Sequence, residues 1–170
     1  EIIESILQEK KNIDLFEIAN HNGLNQIVIS LKKNKFDLAT KILNQYGAKK
    51  VLPLNVSAGF HSNFMQEANK EMNIEIDKLD FKKSEFPIVS NFNATSSQQS
   101  DIISYNLKQQ MTNKVKWVDI IKFFEYKKID TILEIGPNKI LNGLNKRISK
   151  NFNFINVSNI DELKNLENVF

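Results

Sequence analysis

The sequence predicts an α/β protein in two parts: a small α+β unit over residues 1–56, then a larger part over residues 57–170 built on a parallel sheet. Three observations predict it. Early on, β-branched runs at 26–31 and 50–56 flank a helical stretch at 36–46, the pattern of helices crossing an antiparallel sheet. From residue 62 onward, helical and strand-like segments alternate, which favours a parallel sheet. Between them, Ser57-Ala58-Gly59-Phe60-His61-Ser62 joins an apolar strand-like run to an apolar, acidic helix-like run.

Taken in order, Ile2, Ile3, Ile6 and Leu7 fall at helical spacing within 2–11. Residues 13–19 alternate as a short strand, and 20–25, with Gly23, carry turn chemistry. The run 26–31 reads as a strand. Phe36, Ala39, Leu43 and Tyr46 mark one face of a helix that Gly47 stops. Residues 50–56 read as a further strand. Residues 62–79 read as a long helix, 80–85 as a polar loop, 87–92 as a strand and 95–100 as a Ser/Gln loop. Helices follow over 101–111 and 116–127. Residues 131–135 read as a buried strand, and Gly136-Pro137 turns the chain into a helix over 138–149. A strand over 152–157 and an acidic helix over 160–169 complete the chain.

Composition narrows the function. At 170 residues, 41% hydrophobic and 25% charged, the chain can bury a core and is not a disordered segment. It has no cysteine and two histidines, so thiolate metal sites, disulfides and a Cys nucleophile are excluded, and no metal site is expected. The net charge of +3 is spread over Lys pairs such as Lys32-Lys33 and Lys127-Lys128, the mark of a solvated surface with mild attraction for acidic partners. A single Arg and no aromatic-interleaved basic stripe argue against nucleic acid. No apolar run reaches membrane-spanning length. The chain begins Glu1-Ile2-Ile3 without an initiator Met or a leader-like segment, as expected of a piece of a longer protein.

His61 is the candidate for chemistry. Gly59 lets the backbone turn, and His61 stands where the helix begins, a place suited to a general base held on a rigid scaffold. By spacing alone, a His here serves as a cap or surface residue more often than as a base.

Four stretches in order carry a resemblance. Val56 to Met65 resembles the histidine segment of malonyl-CoA:acyl-carrier-protein transacylases. Asn20-His21-Asn22-Gly23-Leu24-Asn25-Gln26-Ile27-Val28-Ile29-Ser30 resembles that family's Asn-x-Asn-Ser-Pro-x-Gln-x-Val-Ile-Ser segment, with Gly23-Leu24 in place of Ser-Pro. Phe86 to Asn91 resembles its Pro-Val-x-Ser-Asn strand. Glu134 to Leu144 resembles its Glu-x-Gly-Pro-x-Lys-x-Leu-x-Gly-Leu signature. The resemblance covers roughly positions 1–158, and only the C-terminal part of a full family member.

It implies the C-terminal part of an α/β-hydrolase-like acyltransferase domain plus a small ferredoxin-like subdomain. It implies transfer of a malonyl group from malonyl-CoA to the phosphopantetheine thiol of acyl carrier protein, through a Ser ester, in type II fatty acid synthesis. His61 would be the general base and the backbone carbonyl of Gln110 its orienter. Asn22 and Gln26 would bond the acyl or pantetheine amide, although an Asn-rich turn satisfying its own backbone accounts for them equally well. Phe60 would exclude branched acyl units by bulk. No cofactor is implied, malonyl-CoA being the substrate. The expected location is bacterial cytoplasm or a plastid- or apicoplast-type stroma, ahead of the mitochondrial matrix.

The nucleophile is not expected in this chain. No Gly-x-Ser-x-Gly occurs, and Ser57 has Asn55 where the first glycine should stand. Ser62, next to His61, is not expected to reach the required geometry. The only Arg, Arg147, suits a structural or helix-end role, so the carboxylate clamp is also expected elsewhere. Alone, the chain is expected to be inactive and to need an N-terminal segment of the same protein. The alternatives are a non-catalytic module that binds carrier protein, or an acyltransferase fragment of a polyketide or multifunctional synthase.

Overall fold

The structure is a computed structural model and describes residues 2–9 and 14–166. Helix α1 (Ile2–Gln8) leads to an antiparallel hairpin of β1 (Glu17–Gly23) and β2 (Gln26–Ser30). A short 3-10 turn over 33–35 opens α2 (Phe36–Gln45). Ile6 of α1 and Leu15 and Phe16 before β1 pack with Ala39 and Leu43 of α2. These are the apolar positions of the helical spacing, and deleting the Leu43 side chain to Ala would cost about 2–5 kcal/mol. Gly47, at φ +90°, ends α2; Ala48 N–H then reaches Leu43 O at 3.0 Å.

The hairpin differs from the sequence expectation. Positions 10–13 lie outside the described residues. The expected turn over 20–25 is mostly strand: β1 runs on to Gly23, and only Leu24 and Asn25 turn. The reason is tertiary. Val115 N–H donates to Ala19 O at 2.8 Å and His21 N–H donates to Val115 O at 2.9 Å, so polar Asn20 and His21 have backbone partners on both sides.

The expected strand over 50–56 does not form. Its backbone finds no strand to pair with among the described residues, Pro53 has no N–H to donate, and Leu52, Leu54 and Val56 stand exposed.

Beyond His61, a 3-10 turn (Asn63–Met65) leads into α3 (Gln66–Asp77). The expected strand over 87–92 shrinks to β3 (Ile88–Val89), paired antiparallel with β4 (Ser96–Ser97) inside the expected loop. Helices α4 (Ser100–Gln110) and α5 (Trp117–Tyr126) follow. Val118 and Ile121 of α5 are fully buried. Strands β5 (Thr131–Ile135) and β6 (Asn153–Val157) form a parallel pair around α6 (Ile140–Ile148), and α7 (Ile160–Asn165) comes last. Positions 167–169 of the expected last helix lie outside the described residues.

Two polar devices fix α6. Glu134 accepts the N–H groups of Leu141 (2.9 Å) and Asn142 (2.7 Å), capping the helix start. Trp117 Nε1 donates to Asn145 Oδ1 at 2.8 Å, tying α5 to α6. The strand expected to be buried, β5, is not: Leu133 is 37% exposed and Ile135 74%. Among the described residues no helix is long and apolar enough to cross a membrane.

Candidate active site

His61 sits on a turn held by four contacts. Its own N–H donates to Met111 O at 2.9 Å. Ser62 Oγ donates to Gly59 O at 2.6 Å, and Ser30 Oγ donates to Phe60 O at 3.4 Å. Asn63 N–H donates to Glu17 Oε2 of β1 at 2.9 Å. The left-handed residue of this turn is His61 itself, at φ 62°, not Gly59. Gly59 matters for space: a Cβ there would lie 3.1 Å from Phe64 Cδ2. A non-glycine residue at positive φ carries strain of about 1 kcal/mol or more, which surrounding contacts must offset.

The imidazole is oriented by α4. His61 Nδ1 lies 2.8 Å from the Gln110 carbonyl oxygen, which can only accept, so Nδ1 carries the proton and Nε2 keeps its lone pair. The Gln110 side-chain Nε2 lies 3.3 Å from the same Nδ1. Two donors cannot bond each other, and the shorter carbonyl contact decides the tautomer.

Around His61 opens a cleft of about 430 Å³. Glu17 and Ile18 of β1, Phe92, and Thr112, Lys114 and Lys116 after α4 line it. Glu17, which accepts the Asn63 N–H, is its one carboxylate against the two cations Lys114 and Lys116, so the lining carries a small excess of positive charge. Lys114 also pairs with Glu4 at 3.4 Å, and this hydrogen bond and charge hold the Glu4 carboxyl below its usual value. Sequence reading missed these lining residues. The signal was Thr112 to Lys116 following Gln110, but only the fold brings that segment alongside β1.

Asn22, Gln26 and Phe60 do not line this cleft. Asn22 lies half-buried on β1. Gln26 starts β2, and its Oε1 accepts from Arg147 Nη1 of α6 at 3.2 Å. Phe60 is 44% exposed next to His61. Ser62 is buried, its hydroxyl committed to Gly59 O. Ser57 is exposed. Among the described residues no group of His, Asp and Glu side chains could hold a metal.

A scan against protein-family models finds no match. The malonyl CoA-acyl carrier protein transacylase of Staphylococcus aureus (strain MSSA476) is 30% identical over 164 residues, which is 96% of this chain and 52% of that protein. The crystal structure of MCAT from Streptococcus pneumoniae superposes with a TM-score of 0.89 at 28% identity, covering 99% of this chain and 55% of that one. A type II PKS acyl-carrier protein in complex with its malonyl-transacylase, PlMCAT:AntF, gives a TM-score of 0.86 at 28% identity, covering 98% of this chain and 53% of that one. The chain spans about half the length of the curated relatives it matches, and over that half its sequence and fold are similar to those of malonyl-CoA:acyl carrier protein transacylases.

Proposed function

We propose that this chain supplies the general base and one wall of the cleft of a malonyl-CoA:acyl carrier protein transacylase, whose nucleophilic Ser lies on the part of the protein outside this sequence. The observation that carries the reading is the His61 to Gln110 carbonyl contact, which leaves Nε2 free as a base. In the first half-reaction, Nε2 takes the Ser proton as the hydroxyl attacks the malonyl thioester carbonyl. The carbon–sulfur bond breaks, and the imidazolium returns its proton to the coenzyme A thiolate. In the second, Nε2 takes the proton of the carrier protein's phosphopantetheine thiol, whose sulfur attacks the Ser ester. The proton then returns to Ser. The Gln110 carbonyl accepts from Nδ1–H throughout and stabilises the imidazolium.

Lys114 and Lys116 favour an anionic substrate such as malonyl-CoA and an acidic carrier protein. Gln26, its Oε1 held by Arg147, keeps two amide N–H donors for an acyl or pantetheine carbonyl. Asn22 is assigned the same role, and Phe60 the exclusion of branched acyl groups. We take residues 1–56 as the small, ferredoxin-like subdomain and 57–170 as part of the large one. Type II fatty acid synthesis in a bacterial cytoplasm or plastid-type stroma is the setting this reading implies.

Reconstitution tests it. The chain is mixed with the segment of the Staphylococcus aureus relative that it does not match, and labelled malonyl-CoA and carrier protein are added. Label on a Ser of the added segment, passed on to carrier protein only when His61 is present, supports the reading. Carrier protein bound by the chain alone, with no transfer in the mixture, would leave a binding module.

A further inference from the structure

We propose that Asn113 is a positioning residue for His61: its side-chain amide closes the C-terminal turn of α4 and so holds the Gln110 carbonyl at the imidazole. The effect on malonyl transfer rests on the transacylase reading above.

An α-helix leaves its last carbonyls without intrahelical partners. At the end of α4, three consecutive carbonyls are taken up by two residues from beyond the helix. Gln109 O accepts from Asn113 Nδ2 at 2.9 Å. Gln110 O accepts from His61 Nδ1 at 2.8 Å, and the O of the C-cap residue Met111 accepts from the His61 N–H at 2.9 Å. His61 therefore hangs on two carbonyls of a turn whose remaining carbonyl Asn113 holds. A carbonyl can only accept, so the amide nitrogen must face Gln109 O, which fixes the orientation of the Asn113 side chain. Nδ2 also donates to Thr112 Oγ1 at 3.2 Å, and both of its hydrogens are thus in use.

The backbone that carries Asn113 is anchored. Two residues on, Val115 N–H donates to Ala19 O and Val115 O accepts from the His21 N–H. Next, Lys116 N–H donates to Asn91 O at 2.9 Å. The half-buried Asn113 side chain is a strut from this pinned segment back to the helix end, beside the cleft that His61 lines. Without the amide donor, Gln109 O loses this partner and the last turn of α4 is free to fray. Which imidazole nitrogen carries the proton is set by the hydrogen bond the ring makes. Released from Gln110 O, the ring goes over to the Nε2–H form, which has no lone pair at Nε2 to take a proton. A misplacement of about 1 Å in a reacting group can cost about 10²-fold in rate.

The test reads the tautomer on the full 170-residue chain, by ¹⁵N NMR of its two histidines at about pH 9, above the ordinary imidazole range. His21→Gln identifies the signals of His61. The expected result is a protonated Nδ1 and a bare Nε2 at His61 in the wild type. The ratio of Nδ1–H to Nε2–H falls at least tenfold in Asn113→Ala and in Asn113→Asp, which keeps the size and loses the donor. Glu134→Ala, which removes the cap of α6, leaves the ratio unchanged. An unchanged ratio in either folded Asn113 variant overturns the proposal. An equal fall in Glu134→Ala does so too, since it marks a general loosening. In the mixture with the Staphylococcus aureus segment, Asn113→Asp lowers kcat for transfer at least tenfold and leaves KM for malonyl-CoA within twofold. A raised KM at unchanged kcat makes Asn113 a substrate contact and overturns the positioning role. A wild-type mixture without transfer overturns the transacylase reading, while the tautomer ratio still decides the role of Asn113.

Discussion

His61 Nδ1 and the carbonyl oxygen of Gln110 stand 2.8 Å apart, 49 residues distant in sequence, joining the turn before α3 to the last turn of α4. The partner is a backbone atom on a helix end rather than a carboxylate. Its position depends on α4 and not on the Gln110 side chain.

That separation makes the first prediction. In the reconstituted enzyme, His61→Ala lowers malonyl transfer by about 10²- to 10⁴-fold, the usual contribution of a positioned acid–base group. Gln110→Ala keeps the carbonyl and stays within a few-fold of wild type. Single-turnover rates of transfer to carrier protein check both. An equal loss in the two variants would show that the Gln110 side chain, and not its backbone, positions the imidazole.

Glu134 is predicted to act in stability alone. It satisfies two N–H groups at the start of α6, and Glu134→Ala leaves both without this partner. The cost is about 1–2 kcal/mol, as for a lost helix cap. Urea unfolding measures it, and Glu134→Gln, which keeps an acceptor oxygen, should recover part of the loss.

How much of this was legible in the sequence depended on how local each cause is. Helix α2 was legible because Phe36, Ala39 and Leu43 repeat at helical spacing and Gly47 ends it. Residues 50–56 alternate like a strand, but pairing requires a neighbour that periodicity cannot supply. The sequence places a turn at His61 with Gly59 letting the backbone turn, whereas the left-handed residue is His61. The strain falls on His61 because the Met111 carbonyl and the Gln110 carbonyl, both distant in sequence, hold it. Lys114 and Lys116 were passed over for the same reason: their place in the cleft comes from β1 pairing with Val115. The exposure of Leu133 and Ile135 could not be read locally at β5 either, since an apolar strand looks the same whether its face is covered or open.

Lys128 offers a stabilising change. It ends α5 at φ 56°, with its N–H on Glu125 O at 2.9 Å and Ile129 N–H on Phe124 O at 3.1 Å, the paired bonds of a Schellman motif. Its side chain is exposed. Lys128→Gly removes the Cβ penalty at no loss of packing and raises stability by up to about 1 kcal/mol. An unchanged or lowered urea midpoint would show that the side chain contributes more than its backbone strain costs.

His21 gives the fold a pH dependence whose sign is fixed. Burial on β1 pushes its imidazole below the ordinary 6.5, with Lys114 adding to the effect and the carboxylates of Asp119 and Glu4 opposing it. A histidine depressed in the folded state binds fewer protons folded than unfolded wherever the pH lies near or below 6.5. Its contribution to stability is therefore fully present above that value. It is lost as pH falls from there through the lower folded value. The check is the urea midpoint near about pH 8 and about pH 5 for wild type and His21→Gln, because the groups common to both proteins cancel in the comparison. The wild type should lose more stability on acidification than His21→Gln. Equal losses would mean that Asp119 and Glu4 offset the burial of His21 completely.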